Sequence, residues 1–181
     1  MSRPAPGRLE VVRDFLNTVS IERGTDDIAD PGSYRRWLAG AGLGTPDISE
    51  RGLRRAAALR DDLRAVVATH SKPLETTTEL TGTWVGLQQL PLRLNVSDDG
   101  SIALAPATCD LEDTVLADLL CVVAEAAVNG SWRRVKLCQR PTCRWAFYDA
   151  SPARSATWCT MQVCGARHKA SAYRRRHTEA R

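Results

Sequence analysis

Forty residues near the C-terminus, LCQRPTCRWAFYDASPARSATWCTMQVCGARHKASAYRRR, carry four of the six cysteines in this 181-residue chain. They fall as Cys138-x4-Cys143 and Cys159-x4-Cys164, separated by fifteen residues. Thiol pairs at such spacing, repeated after a gap of this size, make a tetrahedral zinc site with four cysteine ligands. A pair needs a tight loop to aim two sulfurs at one ion, and Gln139-Arg140-Pro141-Thr142 is such a loop. Four thiolates leave no open position for water, so the expected ion is structural, not catalytic. It would contribute on the order of 10 kcal/mol to folding a module of this kind. That contribution matters because little core is on offer between the pairs: Trp145, Phe147, Tyr148 and Trp158. The alternatives are two disulfides, which fit a reducing compartment poorly, or four unrelated thiols, for which the repeated spacing would be a coincidence.

The compartment follows from the rest of the chain. No apolar run approaches the roughly 18–20 residues that span a bilayer. The opening MSRPAPGRLEVVRDFLNT has neither an apolar signal core nor a small-residue cleavage site. A cytoplasmic protein without a membrane segment is therefore expected.

The net charge of +4 conceals an uneven distribution. From Arg133 to Arg181 there are twelve Lys or Arg and two acids, Asp149 and Glu179, a net of +10. Residues 1–132 hold thirteen basic and nineteen acidic residues, a net of −6. Such asymmetry points to a polyanion-facing module joined to an acidic body. The composition turns basic near Gly130-Ser131, which divides the chain into a region 1–130 and a module 131–181.

Hydrophobic spacing sets out the first region. Val11, Val12, Phe15, Leu16 and Val19 recur at helical intervals. Asp30 followed by Pro31 is a helix start, and Trp37 and Leu38 end that short helix before Gly40. Ala56, Leu59, Leu63, Val66 and Val67 form one face of an amphipathic helix of about six turns. Leu80, Trp84 and Leu87 also recur at helical spacing, among threonines and glycines that weaken the pattern. Alternation on both sides of Asp98-Asp99-Gly100 predicts a β-hairpin. A largely apolar helix follows, capped by Asp110 and ended by Asn129-Gly130; it is expected to be central and buried. Cys109 and Cys121 read as ordinary small or buried residues. After the second cysteine pair begins, a helix is expected with Thr160 as its cap. Ala166, Ala170 and Tyr173 would face inward, and Arg167, Lys169, Arg174, Arg175 and Arg176 outward or beside that stripe. The fold class is thus α+β: a mainly helical N-terminal domain with a β-hairpin, then a small treble-clef-like zinc module.

A zinc-anchored helix with this much positive charge attracts phosphates through counterion release, and its arginines can reach base edges. DNA is the expected partner. The sober alternative is a solvated face that complements a helix dipole. Enzyme motifs are missing: no phosphate-binding Gly-x4-Gly-Lys-Ser/Thr, no His-Glu-x-x-His and no zinc-deaminase pattern. Gly40–Gly44 follows a helical pattern rather than a strand, and His70, His168 and His177 form no evident triad. No catalytic residue is assigned, and a non-enzymatic protein is expected.

The segments CQRPTCRWAFYDAS and WCTMQVCGARHKASAYRRR resemble the CGNR zinc finger family. The likeness covers about Leu137 to Arg176. The region before it is similar, more loosely, to the ABATE domain, through Asp14–Val19 and Trp37–Leu43. The resemblance implies stress-responsive transcription regulation with DNA bound by the finger. It implies zinc on Cys138, Cys143, Cys159 and Cys164, and a functional arginine at Arg167. Ala166 stands where the family's asparagine would be, which puts any contact made by that asparagine in doubt. A small-molecule effector is a second expected partner, with Asp14, Asn17 and Thr18 lining a pocket together with Trp37 or Trp84; solvent exposure or local hydrogen bonding is the favoured alternative for the three polar residues. A homodimer is one option for assembly, which is left open. The runner-up function is a non-enzymatic adaptor whose basic finger binds RNA or an acidic protein.

Overall fold

The computed structural model describes residues 3–71 and 85–171. Helix α1 spans Leu9–Leu16 and buries Leu9, Val12, Phe15 and Leu16. Its apolar spacing continues to Val19, yet the helix stops earlier. Asn17 and Thr18 leave it because their side chains bond elsewhere: Thr18 Oγ1 donates back to the Phe15 carbonyl at 2.9 Å. Two short antiparallel strands follow, β1 (Val19–Ser20) and β2 (Thr25–Asp26).

Helix α2, Pro31–Gly40, begins at the capping box that Asp30 makes with Ser33. The Gly42 backbone just beyond it is left-handed, φ +71°, which suits glycine. The long helix α3, Glu50–Ala68, starts at Ser49, whose hydroxyl accepts from Gly52 N–H. Ala56, Leu59, Leu63 and Val67 are buried, while Val66 is half-buried. A short helix α4, Val85–Gln88, lies against α3; Leu80 and Trp84 fall outside the described residues.

The hairpin pairs β3 (Leu92–Val96) with β4 (Ile102–Pro106) in the register Leu94 to Leu104, turning at Gly100 with φ +79°. Asp110 caps α5, Leu111–Val128, which ends at Asn129 before left-handed Gly130. Leu116, Ala117, Leu119, Leu120 and Cys121 of α5 are buried, whereas Cys109 is exposed. No described helix is long and apolar enough to cross a membrane.

The third hairpin pairs β5 (Val135–Leu137) with β6 (Ala146–Tyr148). It sits against α1 and α3. One hydrophobic cluster includes Phe15, Leu38, Leu59, Leu63 and Leu119 and runs on through Trp132, Val135, Leu137 and Ala146. The core therefore crosses the point where the charge changes sign. A second, small cluster is built on Cys138, Cys143 and Cys164 with Trp145, Trp158 and Cys159 against it. The whole is a mixed α and β fold: helices, small antiparallel hairpins and a cysteine-centred zinc module.

Candidate metal centre and nucleic-acid interface

The metal centre grows from the ends of the third hairpin. Cys138 follows β5 directly, and its N–H donates to the Trp145 carbonyl at 2.9 Å. The Arg140 carbonyl accepts from Cys143 and Arg144 N–H at 2.9 and 3.2 Å, which closes the knuckle. Arg144 then takes a left-handed backbone, φ +50°, and turns the chain into β6. The second pair stands at a wide helical turn, Met161–Gly165. The Thr160 carbonyl accepts there from Cys164 and Gly165 N–H at 3.1 and 3.2 Å. Thr160 does not cap through its hydroxyl, contrary to expectation: its side chain makes no capping bond, and its carbonyl closes the turn instead. A Cβ at Gly165 would press on Met161 Sδ and lie 3.2 Å from Trp158 Cδ1, so a larger residue there would have to push the Met161 side chain aside.

All four sulfurs lie within 4.8 Å of one another. Cys143 to Cys159 is 3.8 Å and Cys159 to Cys164 is 3.7 Å. A tetrahedral zinc with bonds of about 2.3 Å separates its sulfurs by about 3.8 Å, so the donor set fits. All four are free thiols. The hydrogen bond from the Cys159 thiol pulls Cys138 down to about 5, against burial. Burial first, then the charge of Cys138, pushes Cys143 up to about 11. Cys159 is pushed far up by donating to Cys138, and by burial. The first thiolate forms easily and resists the others; a dication removes that resistance. One structural zinc ion belongs here. Four thiolates around it would leave two negative charges, which the nearby guanidinium charges of Arg140, which acts on Cys164, and Arg64, which acts on Cys143, offset.

A buried ion pair shapes the loop between the cysteine pairs. Lys136 Nζ donates to Asp149 Oδ2 at 2.7 Å and to the Arg154 carbonyl at 2.6 Å. Asp149 also accepts from Ser151 N–H, Ser151 Oγ and Ala156 N–H. Burial raises the Asp149 carboxyl, but these donors more than reverse that and hold it at about 2.

The N-terminal region grips this module at four points. Asn17 donates to the Ala146 carbonyl at 2.9 Å and accepts from Ala146 N–H at 2.7 Å. Its amide thereby lines the free edge of β6 as a neighbouring strand would. Arg64, buried on α3, donates to the Leu16 carbonyl at 2.6 Å and the Arg144 carbonyl at 2.9 Å. His70 Nδ1 lies 2.9 Å from the Val135 carbonyl, and its ring meets Trp132 edge-on. Glu22 Oε1, in the turn between β1 and β2, accepts from Arg140 at 3.0 Å and from Arg167 at 2.9 Å.

Comparison with known families agrees with this layout. Residues 134–177 match the CGNR zinc finger model. Residues 9–129 match ABATE, described as a putative stress-induced transcription regulator. The chain belongs to the ABATE family. It is a regulatory zinc-binding protein that joins an ABATE region to a CGNR finger. No curated protein matches the chain.

Within the ABATE region the four effector-pocket candidates go different ways. Asn17 faces the finger. Thr18 is buried and takes a hydrogen bond from Arg60 at 3.1 Å, while Arg60 grips Asp26 with two bonds of 2.7 and 2.9 Å. Asp14 is half exposed beside Arg13. Trp37 packs on Phe15 and Tyr34. An open groove elsewhere is lined by Asp47, Ile48, Ser49, Asp110, Leu111 and Glu112 and includes none of the four.

Among the basic residues of the finger, Arg167 and Lys169 are exposed, on a helix described over 166–171. Arg174, Arg175 and Arg176 lie outside the described residues. Ala166 and Ala170, expected to face inward, are exposed. The helix start is held by Cys164 and Gly165 and by His168, whose ring lies 4.7 Å from Trp158; no alanine stripe is needed. Sequence reasoning passed over Glu22, Arg64, Arg140 and Lys136. Only Asp149 carried a signal, within the aromatic-Tyr-Asp-x-Ser segment.

Proposed function

We propose that this protein is a zinc-dependent DNA-binding transcription regulator. The finger meets DNA phosphates with Arg167 and Lys169, and with Arg174, Arg175 and Arg176 beyond them. The ABATE region receives a signal, a small ligand or a change of assembly, and acts in the cytoplasm. The observation that carries this reading is the exposed basic start of the helix, anchored at a four-thiol zinc site, with no acid in the chain between Asp149 and Glu179. The family's regulatory description supports it.

The test is fluorescence anisotropy with duplex DNA over a salt series. The logarithm of affinity should fall linearly with the logarithm of salt, by about 0.9 for each phosphate neutralised. Neutralising Arg174, Arg175 and Arg176 together should flatten that slope with zinc content unchanged. An absence of duplex binding, with retention of RNA or an acidic protein, would establish the adaptor reading instead.

A further inference from the structure

We propose that Arg140 and Arg167 form a two-pronged site for a nucleic-acid phosphate, and that Glu22 occupies it in the free protein. This rests on the DNA-binding reading and adds to it a phosphate contact, Arg140, and a built-in competitor. The two guanidinium groups reach one oxygen of Glu22, at 3.0 and 2.9 Å. They come from different cysteine pairs: Arg140 from the first knuckle, Arg167 three residues after Cys164. Bringing the two cysteine pairs to one ion therefore also brings these arginines to one anion. An oxygen of a phosphodiester has the charge and acceptor character that this fork recognises.

Glu22 supplies a substitute from within the chain. It is exposed to 44%, and the hydrogen bond from Arg140 leads the influences that lower its carboxyl below the ordinary range. It stands in a turn between strands of two residues each, within the net-acidic region of residues 1–132. Arg140 sits in the knuckle that its own carbonyl closes by accepting from Cys143 and Arg144 N–H, so its backbone stays placed when Glu22 leaves. Exposed ion pairs are weak, and a polyanion surrounded by its own field can displace one. The result is a threshold: only a strongly anionic partner opens the site.

The experiment is a mutant cycle read by duplex-DNA affinity at low salt. Glu22→Gln should tighten binding about threefold to tenfold, the range expected for releasing exposed ion pairs. Asp27→Asn, which removes a nearby exposed charge that does not touch the fork, should give less. In an Arg167→Gln background the Glu22→Gln gain should shrink, and in Arg140→Gln/Arg167→Gln it should fall to the level of the Asp27→Asn effect. Zinc stoichiometry and near-ultraviolet circular dichroism monitor folding of every variant. If wild type binds DNA and Glu22→Gln gains nothing, the competitor is overturned and the DNA-binding reading stands. A Glu22→Gln gain that persists undiminished without both arginines would mean simple charge repulsion and would also overturn it. If neither wild type nor Glu22→Gln binds DNA, both proposals fall together.

Discussion

Asn17 does with one side-chain amide what a peptide group does along a strand, and Ala146 is its partner from 129 residues away. Asn17→Ala should leave a buried N–H and a buried carbonyl without partners. The expected loss is about 2–4 kcal/mol, read from the urea midpoint. Asp149 makes a second residue-scale prediction. Its folded value of about 2 lies below the usual 3.8, so its contribution is complete above about pH 4 and is lost as pH falls through 2. That contribution is about 2 kcal/mol. Asp149→Asn should cost about 3–5 kcal/mol at neutral pH, because Lys136 is left buried and uncompensated. The gap between wild type and variant should narrow as pH falls from 4 towards 2, measured by denaturant titration. At this scale the sequence was legible where chemistry is local. Four thiols at repeated spacing announce their metal, and Asp30 before Pro31 announces a helix. Asn17 is a polar residue beside an apolar run, and nothing near it in the chain names Ala146. Glu22 is likewise one acid among nineteen in its region until the fold sets it against Arg140 and Arg167.

Elements were read best where caps and periodicity agree. Helices α2, α3 and α5 and the β3–β4 hairpin lie where their caps, stripes and turn residues predict them. Helix α1 is shorter than its apolar pattern because Asn17 is drawn to β6 and Thr18 turns back on Phe15. The exposed Ala166 and Ala170 make the converse case: helical spacing of small residues does not by itself say which side has a neighbour. In the sequence, Gly86 only weakens a helical pattern. The structure gives it a role, since a Cβ there would stand 2.5 Å from Leu59 N and 2.7 Å from the Ala58 carbonyl carbon. These are backbone atoms of α3, which cannot swing aside. Asp62 Oδ2 accepts from Gly86 N–H at 2.8 Å and holds α4 at that distance. Gly86→Ala should therefore lower stability by about 1–3 kcal/mol in thermal or urea unfolding, despite alanine's better helix propensity.

Over the whole molecule, the metal and the helical region hold each other. The hairpin that carries Cys138 and Cys143 also supplies Val135, Leu137 and Ala146 to the main core. Chelation should accordingly do more than unravel the finger. The melting temperature of the α-helical signal should fall, and readdition of zinc should restore it; calorimetry of the loaded protein should give one transition. Two transitions, with the helical one indifferent to chelator, would contradict this coupling. Charge composition marks a change at residue 130, because net charge reports what faces solvent and partners. It is silent about the apolar side chains that continue past that point. An experimenter who follows the charge map and clones only the C-terminal fifty residues would carry off Trp132, Val135, Leu137 and Ala146 with nothing to cover them. Such a fragment should be sticky and short-lived in solution even when fully metallated, and its behaviour would say little about how the intact regulator reads its target.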